Sequence, residues 1–320
     1  MQNIIVAGGA GYIGSHMVKM LSSAGFNPVT VDNLSTGHRD SVLYGDFEEC
    51  DIADSVRMGR IFEEYNPAAV IHFAAFSLVG ESVSKPDKYY RNNVSGTLSL
   101  LDTMRRHACD RFIFSSTAAV FGNPEYLPID ELHPKTPVNP YGRTKLMTEQ
   151  ALGDYAEAYG LRYVIFRYFN AAGHDESGDL KERHSPETHL LPLVVQAAKG
   201  ERSHIALYGD DYDTPDGTCV RDYIHVNDLC AAHLAGIKYL ENGGEPADFN
   251  LGNGNGFSVK EIIDKVRLVS GTDFEVKTEG RRAGDPASLV ADSSKARHVL
   301  GWQPEYTDIE DIIKTVWKTV

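Results

Sequence analysis

The stretch "IIVAGGAGYIGSH", residues 4–16, decides the fold. Residues 4–8 are a short apolar run of the kind that forms a buried strand, and Tyr12 to Ala24 carry a helical pattern. Between them Gly8, Gly11 and Gly14 stand in a G-x-x-G-x-x-G spacing. Strand, glycine turn and helix together let a pyrophosphate approach the backbone at a helix N-terminus, where free N–H groups and the helix dipole favour anions. A structural glycine turn would give the same spacing, but it would not require an acid downstream. Asp32 ends the next strand, "PVTVD" (28–32), about 20 residues on, where a ribose-binding acid belongs. A carboxylate there accepts ribose hydroxyls and repels a 2′-phosphate. His38 and Arg39 lie several residues further along, so the expected cofactor is NAD rather than NADP.

Outward from this unit, short apolar runs alternate with helical patterns. "AAVIHFAA" (68–75), "RFIFSS" (111–116) and "RYVIFRYF" (162–169) read as strands, with helices expected over 53–65, 85–108 and 140–159. Such alternation gives right-handed crossovers and a parallel sheet. The expected fold class is α/β, a Rossmann-type doubly wound parallel sheet with a smaller mixed α/β C-terminal substrate domain. From residue 170 the loops become longer and more polar, as in "GHDESGDLKERHSPETH" and "GDDYDTPDGT". Residues 1–169 are expected to form the cofactor domain, part of 218–240 to return to it, and 170–320 to form the substrate domain.

The chain has 320 residues, 42% hydrophobic, and a formal charge of -14. That charge disfavours nucleic acid and anionic membrane surfaces as partners, but leaves room for a local basic pocket for one anionic small molecule. Cys50, Cys109, Cys219 and Cys230 show no CxxC and no metal-ligand spacing, and no metal site is expected in the chain. They read as reduced thiols. The first residues lack the basic segment and long apolar run of a signal peptide, so none is expected, and no apolar run reaches the roughly 18 residues of a membrane span. A cytoplasmic protein is expected.

"NPYGRTK" (139–145) holds the candidate chemistry. Asn139 suits a helix N-cap and Pro140 the first helical position. A helix starting there sets Tyr141 and Lys145 one turn apart on one face. Either this is a surface helix whose Lys145 pairs with Glu149, or it is a phenol held near an ammonium so that it ionises more easily. "SSTAAVFG" (115–122) ends a strand about two dozen residues earlier. A hydroxyl there could bridge a substrate oxygen and the phenol. Tyrosine ionises near pH 10, so a base working near neutrality needs a shift of about three units, roughly 4 kcal/mol.

With glycine loop, hydroxyl and Tyr-x-x-x-Lys in this order, the sequence resembles the extended short-chain dehydrogenase/reductase family. Within it, it is similar to the UDP-glucose (UDP-galactose) 4-epimerases. "GGAGYIGSH", "VDNLSTG", "YYRNNVSGTL", "FSSTAAVFG", "NPYGRTKLMTEQ", "RYFNAAG", "GDDYDTPDGTCVRDYIHVNDL" and "RRAGDPASLVAD" carry the resemblance. It implies Tyr141 as base, Lys145 as its electrostatic partner and Thr117 as the active-site hydroxyl, which also touches substrate. Gly8, Gly11, Tyr12, Ile13, Gly14, Asp32, Asn33, Asp51, Ile52, Phe73 and Asn92, with Tyr141 and Lys145, would line the NAD. Asn170, Leu190, Ala206, Tyr208, Arg221, Arg282 and Asp285 would hold the UDP group, and Leu289 would border the hexose. The two arginines also fit independently, because a diphosphate in an acidic protein needs fixed guanidinium forks. Ser77 stands where many members carry a lysine reaching the cofactor pyrophosphate, and His189 where some carry asparagine against the nucleotide sugar.

The implied activity is C4 epimerisation of a UDP-hexose through a 4-keto sugar by reversible hydride transfer to retained NAD, with a homodimer as the assembly. UDP-glucuronate and UDP-pentose 4-epimerases are the near alternatives, and an NAD(H)-sensing regulator is the non-enzymatic one. A nucleotide-sugar 4,6-dehydratase needs an acid and a base directly after the active-site threonine, where this chain has Ala118 and Ala119.

Overall fold

The computed structural model describes residues 1–282 and 284–319. The first unit runs β1 (Asn3–Ala7), α1 (Tyr12–Ser23), β2 (Asn27–Asp32), β3 (Asp46–Glu49), α2 (Ser55–Tyr65) and β4 (Ala69–His72). It continues with α3 (Val79–Ser84), α4 (Pro86–Tyr89), a π-helical turn (Tyr90–Gly96), α5 (Thr97–Arg106), β5 (Arg111–Thr117), α6 (Pro140–Tyr159) and β6 (Arg162–Tyr168). The later chain contributes β7 (Asn170–Ala172), α7 (Leu190–Ala198), β8 (Ile205–Tyr208), β9 (Val220–His225), α8 (Val226–Glu241) and β10 (Ala247–Leu251). β11 (Gly256–Ser258), α9 (Val259–Ser270), β12 (Val276–Glu279), β13 (Ser288–Leu289), α10 (Ser294–Leu300) and α11 (Ile309–Thr319) complete it.

Seven strands pair in the order β10-β6-β5-β4-β1-β2-β3, all parallel. The side chains alternate between two cores, as strand geometry requires. Ile4 and Val6 face Met17, Leu21, Phe166 and Leu229, whereas Ile5 and Ala7 face Val31, Met58, Leu100 and Phe112. The sheet is thus buried on both faces, which is why its central strands read as continuous apolar runs. Strand order reverses between β1 and β4, and in such sheets ligands bind beyond the C-terminal strand ends at that reversal.

The strand that returns to this sheet is β10 at 247–251, just beyond the expected 218–240 segment. Of that segment, α8 packs on α1, while β9 leads away into a separate small sheet with β7, β11 and β13. β8 pairs with β12. These pieces surround a third core in which Leu191, Val194 and Tyr223 meet Ile262, Ile312 and Val316.

Candidate active site

At the strand-order reversal Gly8 and Gly14 are obligatory. Gly8 has φ +81°, and a Cβ there would stand 2.6 Å from the Ala74 nitrogen just past β4. A Cβ on Gly14 would stand 2.1 Å from the Gly8 carbonyl. α1 begins after Gly11 with no side-chain cap and no acid in its first turn, so its leading N–H groups are not spoken for by a side chain. Asp32 is buried. Its carboxylate accepts from Ala10 N at 3.0 Å and from Leu34 N at 2.8 Å, one backbone donor per oxygen. Burial raises its pKa, and those two N–H groups oppose the rise. A lone pair on each oxygen remains for a diol. Asn33 donates to Asp51 at 2.9 Å, and Asp51 also accepts from Ala53 N at 2.8 Å, so the two residues form one rim. Ile52 is buried beside them, and Tyr12 and Ile13 pack at the start of α1. This cradle fits a dinucleotide: backbone donors for a pyrophosphate, a carboxylate for a ribose, and no room for any side chain at the closest approach.

The catalytic candidates come together across the same edge. Asn139 Oδ1 accepts from Gly142 N at 2.8 Å and Pro140 opens α6, so the helix starts where its capping residues direct. A Cβ at Gly142 would lie 2.5 Å from Ala119 O. Glycine there lets the first turn of α6 pack on the turn after Thr117. The Thr117 hydroxyl lies beside the Tyr141 phenol and accepts from Ala119 N at 3.1 Å. Burial pushes Tyr141 up to about 12, with the Thr117 hydroxyl pulling the other way.

Lys145 is 3% exposed, donates to Ser115 O at 2.7 Å and lies 4.8 Å over the Phe114 ring. Burial lowers its pKa to about 7, opposed by the charge of Glu149. The surface-helix alternative does not hold. Glu149 is itself buried and accepts from Arg167 Nε and Nη2, both at 2.9 Å, and from Ser116 Oγ at 2.6 Å. It acts on Lys145 through space rather than as an exposed pair.

Phe73 leaves β4 with its ring 4.9 Å from that of His233. Asn92 lies in the π-helical turn and donates to Asn93 Oδ1 at 2.9 Å. Asn93 is the residue that turns inward. Its amide exchanges two 3.0 Å hydrogen bonds with the Phe76 backbone and donates to Thr144 Oγ1 at 3.2 Å, bracing the loop after β4 against α6. Ser77 is exposed on that loop.

The residues expected to hold UDP fall into an arginine cluster and scattered neighbours. Arg282 donates to Asp285 at 2.8 Å and lies 5.0 Å over the Tyr208 ring, and Arg221 reaches the same carboxylate at 3.8 Å. Arg282 is about three-fifths exposed, its side chain at 59%, so this patch opens to solvent. Ala206 sits two residues from Tyr208 on β8, and Asn170 pairs with Tyr223 on β9. Leu190 begins α7, and Leu289 is paired in register with Arg221. Leu289 also packs on the cluster of Ala118, Val120, Phe121 and Ile129 that follows Thr117.

Two groups include residues that the sequence reading did not single out, His189 apart. Asp222, next to Arg221, is fully buried and accepts from Asn253 N, Gly254 N and Ala291 N at 2.7 to 3.1 Å, which fixes β9 against the loops after β10 and β13. Burial raises its pKa to about 6, against the pull of those three amides. Glu182, His184, Glu187 and His189 converge ahead of α7. Their Glu-x-His-x-x-Glu-x-His spacing was a readable signal.

Residues 5–316 match the family model described as GDP-mannose 4,6 dehydratase. The chain is 49% identical over 316 residues to a UDP-glucose 4-epimerase of Rhizobium leguminosarum bv. trifolii, covering 99% of this chain and 96% of that one. The crystal structure of UDP-glucose 4-epimerase from Brucella ovis in complex with NAD superposes with a TM-score of 0.97 at 51% identity, covering 99% of this chain and 98% of that one. The Bifidobacterium longum enzyme in complex with NAD+ and UDP gives 0.94 at 40% identity, with 99% and 98% covered.

Proposed function

We propose that this chain, which belongs to the GDP-mannose 4,6 dehydratase family and within it to the UDP-glucose 4-epimerases, inverts carbon 4 of a UDP-hexose, UDP-glucose/UDP-galactose. It is an NAD-dependent isomerase. The observation that carries the assignment to these residues is the buried Tyr141 phenol beside the Thr117 hydroxyl, with buried Lys145 one turn on, set beside the glycine cradle.

Gly8, Gly11, Gly14 and Asp32 hold the cofactor, with Tyr12, Ile13, Asn33, Asp51, Ile52, Phe73 and Asn92 along its length. Held there, NAD would supply reversible hydride transfer at C4, to and from either face of the sugar. Tyr141 takes the proton of the sugar 4-hydroxyl, and Thr117 holds that oxygen in line with the phenol. Bringing the phenol from about 12 to neutrality takes about five units, about 7 kcal/mol, more than the three units the free side chain would need. Burial imposes the extra cost, and the same low dielectric strengthens any nearby cation. Lys145, in its protonated form, is that cation on the protein side, and the charge of Glu149 favours that form. An oxidised nicotinamide is also positive.

Arg221 and Arg282 anchor the diphosphate, with Asn170, Leu190, Ala206, Tyr208 and Asp285 around the nucleotide and Leu289 against the hexose. Binding energy spent on UDP leaves the sugar free to turn over between the two hydride transfers. Residues 1–169 with the returning 226–251 segment form the cofactor unit, and the rest of 170–320 the substrate unit. Among the described residues no helix is long and apolar enough to cross a membrane, and the four cysteines are unbridged. A cytoplasmic homodimer fits these features. Half-exposed Met147 and Tyr159 on α6 offer apolar surface for a partner.

The test is conversion of UDP-galactose to UDP-glucose by purified protein without added NADH. No conversion of any UDP-sugar would leave an NAD(H)-sensing role instead.

A further inference from the structure

We propose that Glu182, His184, Glu187 and His189 form a tetrahedral binding site for a divalent transition metal of zinc type. The four residues lie on one segment between β7 and α7, and their ligand atoms all fall within 4.8 Å of one another. Both imidazoles turn Nδ1 inward. His189 Nδ1 stands 2.9 Å from Glu182 Oε1 and 2.9 Å from Glu187 Oε1. His184 Nδ1 stands 3.0 Å from Glu182 Oε1 and 3.7 Å from Glu187 Oε2. Zinc takes histidine nitrogen and carboxylate oxygen at about 2.0 to 2.2 Å, so tetrahedral ligands stand about 3.3 to 3.6 Å apart. Three of the observed separations, at 2.9 to 3.0 Å, are hydrogen-bond distances that would open by a few tenths of an ångström around an ion, and the fourth, at 3.7 Å, would close slightly. Two nitrogens and two carboxylate oxygens also match the ligand preference of zinc.

Two further observations separate this cluster from a set of surface ion pairs. The Glu182 side chain is 3% exposed and that of Glu187 9%, and buried carboxylates are rare without a cation or strong donors. His184 Nδ1 is buried and makes no hydrogen bond, although a carboxylate oxygen is 3.0 Å away. Its ring is therefore not aimed at that oxygen as a donor would be. Glu187 Oε1 already accepts from Thr188 N at 2.7 Å and His189 N at 2.8 Å, which fixes the carboxylate and leaves Oε2 as the freer ligand atom. Outer hydrogen bonds of this kind orient metal ligands.

The position gives the ion a task. Arg183, between two of the ligands, donates to Asp40 at 3.0 Å and to Ser41 at 2.8 Å, and its carbonyl contacts His38 at 3.1 Å. The His184 ring meets Tyr12, at the start of α1, edge-on at 6.2 Å. His189 is the residue from which α7 starts. A metal here pins one segment that spans the first unit and the N-terminus of α7. Its role is structural and does not depend on the reaction assigned above.

The test uses the full chain, stripped with a chelator and titrated with Co2+ and then Zn2+. Expected is one Co2+ per chain with the intense visible absorption of a four-coordinate site, displaced by Zn2+, and a thermal midpoint that rises with free Zn2+. X-ray absorption of the zinc form should show imidazole and oxygen scatterers at about 2.0 to 2.2 Å and no sulfur. His184→Gln and Glu187→Gln should each weaken Zn2+ binding by at least about 100-fold, beyond the usual effect of removing an outer partner. Should either variant fail to fold, the absorption and scattering of the unaltered protein still decide. A weak six-coordinate cobalt spectrum, sulfur or no imidazole around zinc, or an unmoved thermal midpoint would each overturn the proposal. So would unchanged affinity in both folded variants, and the cluster would then be a protonated-histidine ion-pair network.

Discussion

Replacing Lys145 with methionine should make the protein more stable below pH 7 and far less active. Burial holds the Lys145 pKa at about 7 against an ordinary 10.5, so charging it in the folded state costs about 3.5 units, about 5 kcal/mol. Methionine has similar length and carries no charge. It also removes the donor to Ser115 O, and an unpaired buried carbonyl costs about 1–3 kcal/mol. The net gain at pH 6 is then about 2–4 kcal/mol. An unfolding entropy of about 2.1 cal/mol/K per residue over 320 residues turns that into a rise of about 3–6 °C in thermal midpoint. The pH dependence gives the sharper test. The folded pKa lies below the unfolded one, so the wild type gains stability as pH rises from about 7 towards 10.5 and loses it as pH falls through 7. The advantage of Lys145→Met should shrink over that window and reverse near pH 10, where only the lost hydrogen bond remains. Thermal midpoints of both proteins, followed by circular dichroism from pH 6 to pH 10, measure this. A variant less stable at every pH, or a difference flat in pH, would refute the reasoning and make Lys145 an ordinary structural residue.

Tyr141→Phe should cost about two to four powers of ten in kcat, the scale of a lost general base, while the UDP dissociation constant measured by calorimetry stays near that of the wild type. Equal loss of both would mean that Tyr141 is structural. Gly14→Ala puts a Cβ 2.1 Å from a backbone carbonyl. It should reduce the NAD that co-purifies with the protein by at least about tenfold, a change of 1.4 kcal/mol, as read by nucleotide released on denaturation. The same assay on the wild type should find NAD and not NADP, because of Asp32. Leu289→Ser should raise, and Leu289→Tyr lower, the kcat/KM ratio of UDP-N-acetylglucosamine to UDP-glucose by about 10 to 200-fold, the worth of a pocket change of this size. Unchanged ratios in two folded variants would make Leu289 simply part of the Phe121 cluster.

What the sequence reveals here depends on how local its cause is. The glycine cradle is spelled by a left-handed turn at Gly8 and a close backbone approach at Gly14, and α6 by a cap and a proline, so both can be read from a few adjacent letters. The apolar runs of the central strands are legible because both their faces are buried. β3, "DFEE", is not, since it is a charged edge strand whose register is set by β2. β10 joins the sheet from a site 79 residues beyond β6, and "ADFNL" has only half the apolar pattern of its neighbours. Within the site, Asn92 and Asn93 are indistinguishable as letters, and the π-helical turn decides which one faces inward. The partner of Lys145 is a backbone carbonyl, which no residue type encodes, and that of Glu149 is Arg167 on another element. Tyr-x-x-x-Lys taken locally implies a phenol that ionises easily. The structure gives the opposite resting state, because burial acts on both groups and favours the neutral form of each. Two neutral groups and an ion pair of phenolate with ammonium carry the same net charge, so a nearby charge strong enough to close the gap of about five units can move the proton between them. Glu149 favours the ammonium from below, and a positive ligand above the phenol would favour the phenolate. A tyrosine with a high resting pKa then keeps its proton until such a charge is close, which suits a group that must take a proton and give it back within one turnover.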